Sequence, residues 1–259
     1  MSTPRTALVT GASAGIGTEL ARVFAANGYR LVLVARRRDR LDALATELRE
    51  KHGTESHVVV ADLARPEAPD EIYAETERAG IPVDVLVNNA GYGEKPFPRT
   101  EWDKQDAFLR VLLTSVCHLT HLYLPGMSER GFGRVLNVAS VAAWAPSRRG
   151  DLYVPIKSFV VKFTKSLADH LEQSPGDVRC TASCPGFTYS EFHDVNGMRK
   201  HVDRMPKFLW QKADRVAREA YDACLAGKTV YVHGPVNHVL AFLMPKIPTA
   251  LLRALTPKT

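Results

Sequence analysis

The stretch Thr10-Gly11-Ala12-Ser13-Ala14-Gly15-Ile16-Gly17 decides the fold of this 259-residue chain. The apolar run Ala7-Leu8-Val9 precedes it and is short enough for a buried strand. Apolar residues follow it at helical spacing, at Ile16, Leu20, Val23 and Phe24. The glycines therefore lie at a strand-to-helix junction, and the sequence predicts an α/β fold that begins with this turn.

The glycines of this turn indicate a site for phosphate groups. Gly11 and Gly15 allow backbone conformations and close approaches that a side chain blocks, and Gly17 lets the helix pack on its strand. The free N–H groups and the dipole of the helix start favour an anion there. We therefore expect the turn, including Ser13 and Ile16, to bind a diphosphate. An ordinary glycine-rich loop is the alternative.

Two further motifs follow predicted strands. Asn88-Asn89-Ala90-Gly91 comes directly after the apolar run 83–87, and asparagine side chains there can tie neighbouring parallel strands together. Ser140 ends the predicted strand 134–139. Tyr153 and Lys157 are four residues apart, so both side chains lie on one face of a helix.

These three motifs, TGxxxGIG, NNAG and Ser-YxxxK, resemble those of the short-chain dehydrogenase/reductase family. The resemblance runs from Thr6 to about Val232. It implies a single-domain, Rossmann-like, doubly wound α/β fold with a seven-stranded parallel sheet. It also implies a nicotinamide-dependent oxidoreductase, most similar to the branch of general carbonyl, acyl and steroid reductases.

The resemblance makes Ser140, Tyr153 and Lys157 the catalytic residues. A phenol has a reference pKa of about 10, and a neighbouring ammonium favours the ionised form. We therefore expect Lys157 to lower the pKa of Tyr153 and to bind ribose hydroxyls. Tyr153 would donate a proton to the substrate carbonyl, whose oxygen Ser140 would hold.

The choice of cofactor depends on the residue after the second predicted strand, 30–35. Arg36 stands there, and arginine pairs with a 2′-phosphate where an acid would bond the 2′-hydroxyl. NADP(H) is therefore the expected cofactor, and Arg37 could add a second contact. The alternative is that the cluster of basic residues here is simply the solvent-exposed start of a helix. The cluster consists of Arg36, Arg37, Arg38 and Arg40.

Other cofactor contacts are implied by the resemblance alone. Asp62 would bond the adenine amino group, although it could also cap a turn. Ala90 and Gly91 would leave room beside Asn89 for the nicotinamide ribose. The carboxamide would meet the segment Pro185-Gly186-Phe187-Thr188, which is otherwise a Pro-Gly turn. No metal is expected. The implied cofactor residues are Gly11, Ser13, Gly15, Ile16, Gly17, Arg36, Asp62, Asn89, Ala90, Gly91, Tyr153, Lys157, Pro185, Gly186 and Thr188.

Two positions depart from the family pattern. Leu112 stands where the family usually has an asparagine that helps to hold a proton-relay water, and leucine cannot hydrogen-bond through its side chain. Pro155 lies between Tyr153 and Lys157 and is tolerated only in a first helical turn. These changes favour a rival hypothesis, an NADP(H)-binding protein of low or no turnover that acts as a sensor or partner subunit.

Three segments carry expectations about partners. The region of about 187–212 lacks regular patterning and is apolar, which predicts a substrate lid and a small hydrophobic carbonyl substrate. A helix over about 100–130 resembles the family's dimer-forming helix, so a homodimer or homotetramer is expected, although its apolar stripe could be core. The apolar tail 235–259 should dock on its own or a neighbouring subunit, with a membrane surface as second choice.

Composition limits the remaining function classes. Hydrophobic residues make up 45% and charged residues 24% of the chain, and this balance is ordinary for a globular protein. The net charge of +6 suits a phosphate-rich cofactor or simple solubility, and we expect no nucleic-acid partner because no such motif is found. The four cysteines lack metal-ligand spacing. With no signal-like start and no uninterrupted apolar run of membrane-spanning length, we expect a cytoplasmic single domain over residues 1–259.

Overall fold

A computed structural model describes residues 4–94, 96–146, 150–189 and 206–247. Its central sheet consists of seven strands, β1 (Thr6–Thr10), β2 (Arg30–Ala35), β3 (Ser56–Val60), β4 (Val85–Asn88), β5 (Phe132–Val138), β6 (Asp177–Cys184) and β9 (Val230–Val232). They pair in parallel in the order β3-β2-β1-β4-β5-β6-β9. The predicted seven-stranded parallel sheet is confirmed. The strand order reverses between β1 and β4, and open α/β sheets bind ligands at such a crevice.

Helices cover both faces of the sheet, as the doubly wound prediction requires. They are α1 (Gly15–Ala26), α2 (Arg38–His52), α3 (Ala68–Arg78), α4 (Trp102–Leu109), α5 (Ser115–Glu129), α6 (Tyr153–Glu172), α7 (Ala213–Leu225) and α8 (Pro235–Leu243). One core packs α1, α2 and α7 on the sheet, and the other packs α3, α4, α5 and α6. Because both faces are buried, the strands consist of continuous apolar runs, as in the fully buried β1.

A π-helical turn over Arg110–Thr114 joins α4 and α5 into one continuous helix, Trp102–Glu129. The sequence predicts this helix but not the turn, which contains Leu112. By length and mean hydropathy, 1.3 over its most apolar window, the helix could cross a membrane, although 44% of that window is buried in this fold. Core helices pass the same test, and this one contributes Phe108 and Leu119 to the core.

The predicted lid region begins and ends with regular structure, which is a correction to the sequence prediction. β7 (Phe187–Tyr189) pairs in parallel with β8 (Trp210–Lys212) to form a two-stranded sheet. The Trp210 ring stacks on Tyr189 with centroids 4.6 Å apart. Strands of three residues are too short to show an alternating pattern. The apolar residues expected to cover substrate over 190–205, and the tail from 248 onwards, lie outside the described residues.

Candidate active site

The glycine-rich turn has the geometry of an anion-binding loop. Gly11 has φ +68°, and a Cβ on Gly17 would lie 2.3 Å from the carbonyl oxygen of Gly11. Ala14 caps α1 and provides no side-chain hydrogen bond to the first-turn N–H groups. Those N–H groups are donors of the kind that bind phosphate oxygens at a helix start. The turn therefore fits the diphosphate of a dinucleotide.

The asparagine pair ties three strands together as predicted. Asn89 Nδ2 donates to the carbonyl oxygen of Thr10 at 2.9 Å, and Thr10 Oγ1 accepts the N–H of Ala90 at 3.1 Å. Asn88 Nδ2 donates to Asn137 Oδ1 at 2.9 Å. β1, β4 and β5 are thereby cross-linked at their carboxyl ends. Gly91 follows at the surface of this crevice, next to Leu112.

The two arginines after β2 have different surroundings. The Arg36 side chain is 71% exposed, and its guanidinium lies 3.7 Å from the Asp62 carboxylate. Arg37 donates to Ser13 Oγ at 3.1 Å and to the Ser13 carbonyl at 3.3 Å, so it is held on the glycine-rich turn. Asp62 also accepts the N–H of Ala64 at 3.0 Å, which is the turn-capping role that the sequence left open. Arg36 is thus an accessible cation at this end of the crevice.

The three predicted catalytic side chains lie together at the end of β5. The Ser140 hydroxyl lies close enough to the Tyr153 phenol to lower its pKa. Ser140 Oγ also donates to the carbonyl oxygen of Pro185 at 3.4 Å. Lys157 Nζ lies 5.7 Å from the Tyr153 ring centroid and donates to the carbonyl oxygen of Val138 at 2.7 Å. A serine hydroxyl and a phenol are therefore presented side by side, with an amine behind them.

Burial controls the ionisation of this group, because desolvation disfavours the charged form of each side chain. It raises the pKa of Tyr153 to about 12, and the neighbouring Ser140 hydroxyl opposes part of that shift. It also lowers the pKa of Lys157 to about 8. The sequence predicts a lowered tyrosine pKa, so here the structure differs. The reason is that the Lys157 ammonium is directed at the Val138 carbonyl, while the phenolate would lose its hydration.

The two departures from the family pattern are structurally accommodated. Leu112 is 1% exposed, and its Cγ is 3.7 Å from where a Cβ on Gly91 would be. It therefore closes the crevice with an apolar group. Pro155 is the third residue of α6, so its missing N–H belongs to the first turn and costs no helical hydrogen bond.

The predicted carboxamide-binding segment follows β6. Thr188 Oγ1 donates to the carbonyl oxygen of Gly186 at 3.1 Å, and the N–H of Gly186 donates to Gln211 Oε1 at 3.4 Å. A Cβ on Gly186 would lie 2.4 Å from Asn237 Nδ2. Sequence reasoning missed Gln211 and Asn237, since neither belongs to a motif and both come from elements far along the chain.

Fold and site together define a Rossmann-like α/β protein whose glycine-rich turn fits a dinucleotide. The model of the short chain dehydrogenase family matches residues 5–199, and the chain belongs to this family.

Relatives share the family but differ in length. A very-long-chain 3-oxoacyl-CoA reductase from Anas platyrhynchos is 39% identical over 167 residues, which cover 62% of this chain and 53% of the relative. This chain thus aligns with about half the length of that protein. A serine 3-dehydrogenase from Agrobacterium fabrum is 33% identical over 245 residues, or 91% of this chain and 96% of the relative.

A solved structure has the same fold over nearly the whole chain. It is a short-chain dehydrogenase from Sphingobium yanoikuyae in complex with NADPH, 26% identical, with a TM-score of 0.81. The match covers 98% of this chain and 97% of that one.

Proposed function

We propose that this protein is an NADP(H)-dependent reductase of a hydrophobic ketone or aldehyde. The observation that carries the proposal is the grouping of Tyr153 and Ser140, with Lys157 behind them, at the same sheet edge as the glycine-rich turn. Acid, oxygen-binding group and cofactor site are then within reach of one bound substrate.

The residues present fit NADP(H). The uncapped start of α1 and the cradle around Gly17 suit a diphosphate, and the exposed Arg36 suits a 2′-phosphate. Asp62 would contact the adenine, while Asn89, Ala90, Gly91 and Lys157 would line the nicotinamide ribose. Solved relatives complexed with NADPH or NADP+ support this assignment. The reduced cofactor supplies the hydride that the reduction requires.

Side chains of this protein would supply the proton that the substrate carbonyl oxygen receives. With a pKa of about 12, Tyr153 is protonated at neutral pH and can donate its proton to the carbonyl oxygen. Ser140 donates a hydrogen bond to that oxygen and holds it near the phenol. The Lys157 ammonium, which is bonded to the Val138 carbonyl, would bind the ribose hydroxyls of the cofactor.

The side chains of β7 and β8, where the predicted lid begins and ends, favour an apolar substrate. Phe187, Tyr189 and Trp210 form an aromatic cluster there, with the Phe187 and Trp210 centroids 5.7 Å apart. The Tyr189 side chain is exposed. The cluster therefore offers an apolar surface next to the carboxamide segment, and aromatic rings of this kind contribute much of the contact area in apolar sites.

Leu112 favours a second candidate function, that of an NADP(H)-binding protein. A buried leucine at the usual asparagine position supplies no side-chain hydrogen bond to a proton-relay water. This favours an NADP(H)-binding protein of low turnover, which serves as a sensor or as the subunit of a partner.

The deciding experiment follows NADPH oxidation with a panel of apolar ketones, aldehydes and acyl thioesters, with Tyr153→Phe as control. Oxidation that disappears in the control supports the reductase. NADPH binding without turnover of any panel member supports the binding protein instead.

We also propose that α8 contributes to self-association. Its apolar residues Val239, Phe242 and Leu243 are 56%, 64% and 47% exposed. An exposed apolar face of this kind is typical of a surface that docks on another. A neighbouring subunit is the first choice and an anionic membrane surface the second. Phe242→Asp should lower the mass measured by light scattering. Unchanged mass with lost binding to anionic vesicles would favour the membrane.

A further inference from the structure

Gln211 lies on β8, where the predicted lid ends, and its side-chain amide lies against two glycines. Its Oε1 accepts the N–H of Gly186 at 3.4 Å, and its Nε2 lies 2.9 Å from where a Cβ on Gly234 would be. Gly234 has φ +77° and immediately precedes α8. The Gln211 amide therefore bridges the carboxamide segment and the start of α8, and the absence of a side chain on Gly234 makes room for it.

Asn237 lies against the same peptide from the opposite element. It is 6% exposed, and its Nδ2 donates to the carbonyl oxygen of His233 at 2.7 Å and to Gln211 Oε1 at 3.5 Å. The position of a Gly186 Cβ is 2.4 Å from Nδ2 and 2.6 Å from Oδ1, so the amide group packs flat on the Gly186 Cα. The Gly186 peptide is thus touched by two side-chain amides.

His233 fixes the position of Asn237. Its imidazole is completely buried and hydrogen-bonded at both nitrogens, to Ser183 Oγ at 2.8 Å and to the Glu219 carboxylate at 2.9 Å. The backbone N–H of His233 donates to the carbonyl oxygen of Cys184 at 3.2 Å. Contacts with β6 and α7 therefore fix the His233 carbonyl group, to which Asn237 donates. Asn237 is thereby held against Gly186.

We infer that Gln211 and Asn237 are positioning residues that hold the Gly186 peptide, and through it the nicotinamide end of the cofactor, in the geometry of hydride transfer. This inference rests on the proposed function, because it assumes that the carboxamide lies against residues 185–188. The two amides act only at the nicotinamide end. The diphosphate and 2′-phosphate contacts belong to α1 and Arg36, on other elements.

The test compares Gln211→Met and Asn237→Leu with the wild type. Both replacements approximate the original side-chain volume and remove its hydrogen bonds. We expect the nicotinamide fluorescence of bound NADPH to shift and weaken in each variant, while the affinity for 2′,5′-ADP, which lacks nicotinamide, stays within about twofold. With the best carbonyl substrate, kcat should fall about tenfold, and deuterium transfer from stereospecifically labelled NADPH should lose face selectivity.

Two controls make the test specific. Gln211→Glu keeps an oxygen that can accept the Gly186 N–H and should retain more of the wild-type emission than Gln211→Met. Gln173→Met changes an exposed glutamine and should behave as wild type. If one variant fails to fold, the other still decides the question.

Wild-type emission and face selectivity in the folded variants would overturn the inference. So would an equal loss of affinity for NADPH and 2′,5′-ADP with unchanged emission, because that describes a general structural role. If the wild type reduces no carbonyl, the emission measurement still tests the two amides. The failure of the proposed function is therefore separable from failure of this inference.

Discussion

Lys157 Nζ donates a 2.7 Å hydrogen bond to the carbonyl oxygen of Val138, which joins the start of α6 to the end of β5. The side chain is buried, and burial lowers its pKa from 10.5 to about 8. Between these two values the folded protein holds the neutral amine, whereas the unfolded chain still holds the ammonium. The folded state thus binds fewer protons than the unfolded state across this range.

This difference predicts a pH-dependent stability. The free energy of unfolding should rise with pH between about 8 and 10.5 through Lys157, because the unfolded chain binds the extra proton. The shift corresponds to about 3 kcal/mol. Lys157→Met should remove that rise, so urea unfolding at several pH values should show a wild-type advantage that grows above pH 8. A pH-independent difference between the two proteins would contradict it, and Lys162→Met, on the exposed side of α6, is the control.

Tyr153→Phe should lower kcat about a hundredfold or more, since positioned proton transfer contributes that much, while NADPH binding changes little. Stopped-flow measurement of NADPH oxidation and fluorescence titration check the two parts. Tyr231→Phe, on the edge strand β9, is the matched control. Retained turnover in Tyr153→Phe would assign the proton to another group.

Arg36→Ala should weaken NADPH binding about tenfold to a hundredfold and leave NADH binding nearly unchanged, because only NADPH carries the 2′-phosphate. Calorimetric titration of both cofactors measures the difference. Arg38→Ala removes a neighbouring, similarly exposed arginine and should have little effect. Equal losses for the two cofactors would defeat the 2′-phosphate assignment.

Leu112→Asn should raise kcat if the missing amide limits proton delivery, and we expect this increase. The same change should lower the free energy of unfolding by about 1–3 kcal/mol, since it buries an amide in an apolar site. Turnover per folded molecule and thermal melting separate these effects, with Leu112→Met as the control for altered packing. Unchanged kcat would mean that another group, such as a carbonyl of the π turn, serves the relay.

Gly17→Ala should raise the Kd for NADPH about tenfold, because overpacking displaces the surrounding backbone. The new Cβ would lie 2.3 Å from the Gly11 carbonyl oxygen. Gly126→Ala is the control, since the nearest neighbour there is the flexible end of Arg130. Fluorescence titration compares the two variants. Tight NADPH binding by Gly17→Ala would show that the turn is not the diphosphate site.

Sequence alone predicts the sheet and the places where its strands end. Strands such as β1 and β2 are buried on both faces, so their apolar runs are unbroken. The turn after β1 requires glycines for steric reasons, so the glycine spacing marks it in the sequence. The resemblance to the family also predicts that Ser140, Tyr153 and Lys157 lie together.

Sequence could not predict features that depend on burial and on distant contacts. The pKa of Tyr153 follows from desolvation, which spacing does not reveal. The π turn around Leu112 keeps the apolar periodicity of an ordinary helix, so no pattern marks it. Gln211 and Asn237 meet Gly186 only after β8 and α8 have packed, and nothing local to either residue indicates that meeting.

The parallel pairing of β7 with β8 has a consequence for the segment that connects the two strands. The chain departs at Tyr189 and returns at Trp210, and these two rings are stacked on each other, so the ends of the intervening segment are fixed side by side. Closing a loop between fixed ends depends only weakly on its length. We therefore expect that the segment between them can change in length and sequence while the sheet and the positions of Tyr153 and Ser140 stay the same.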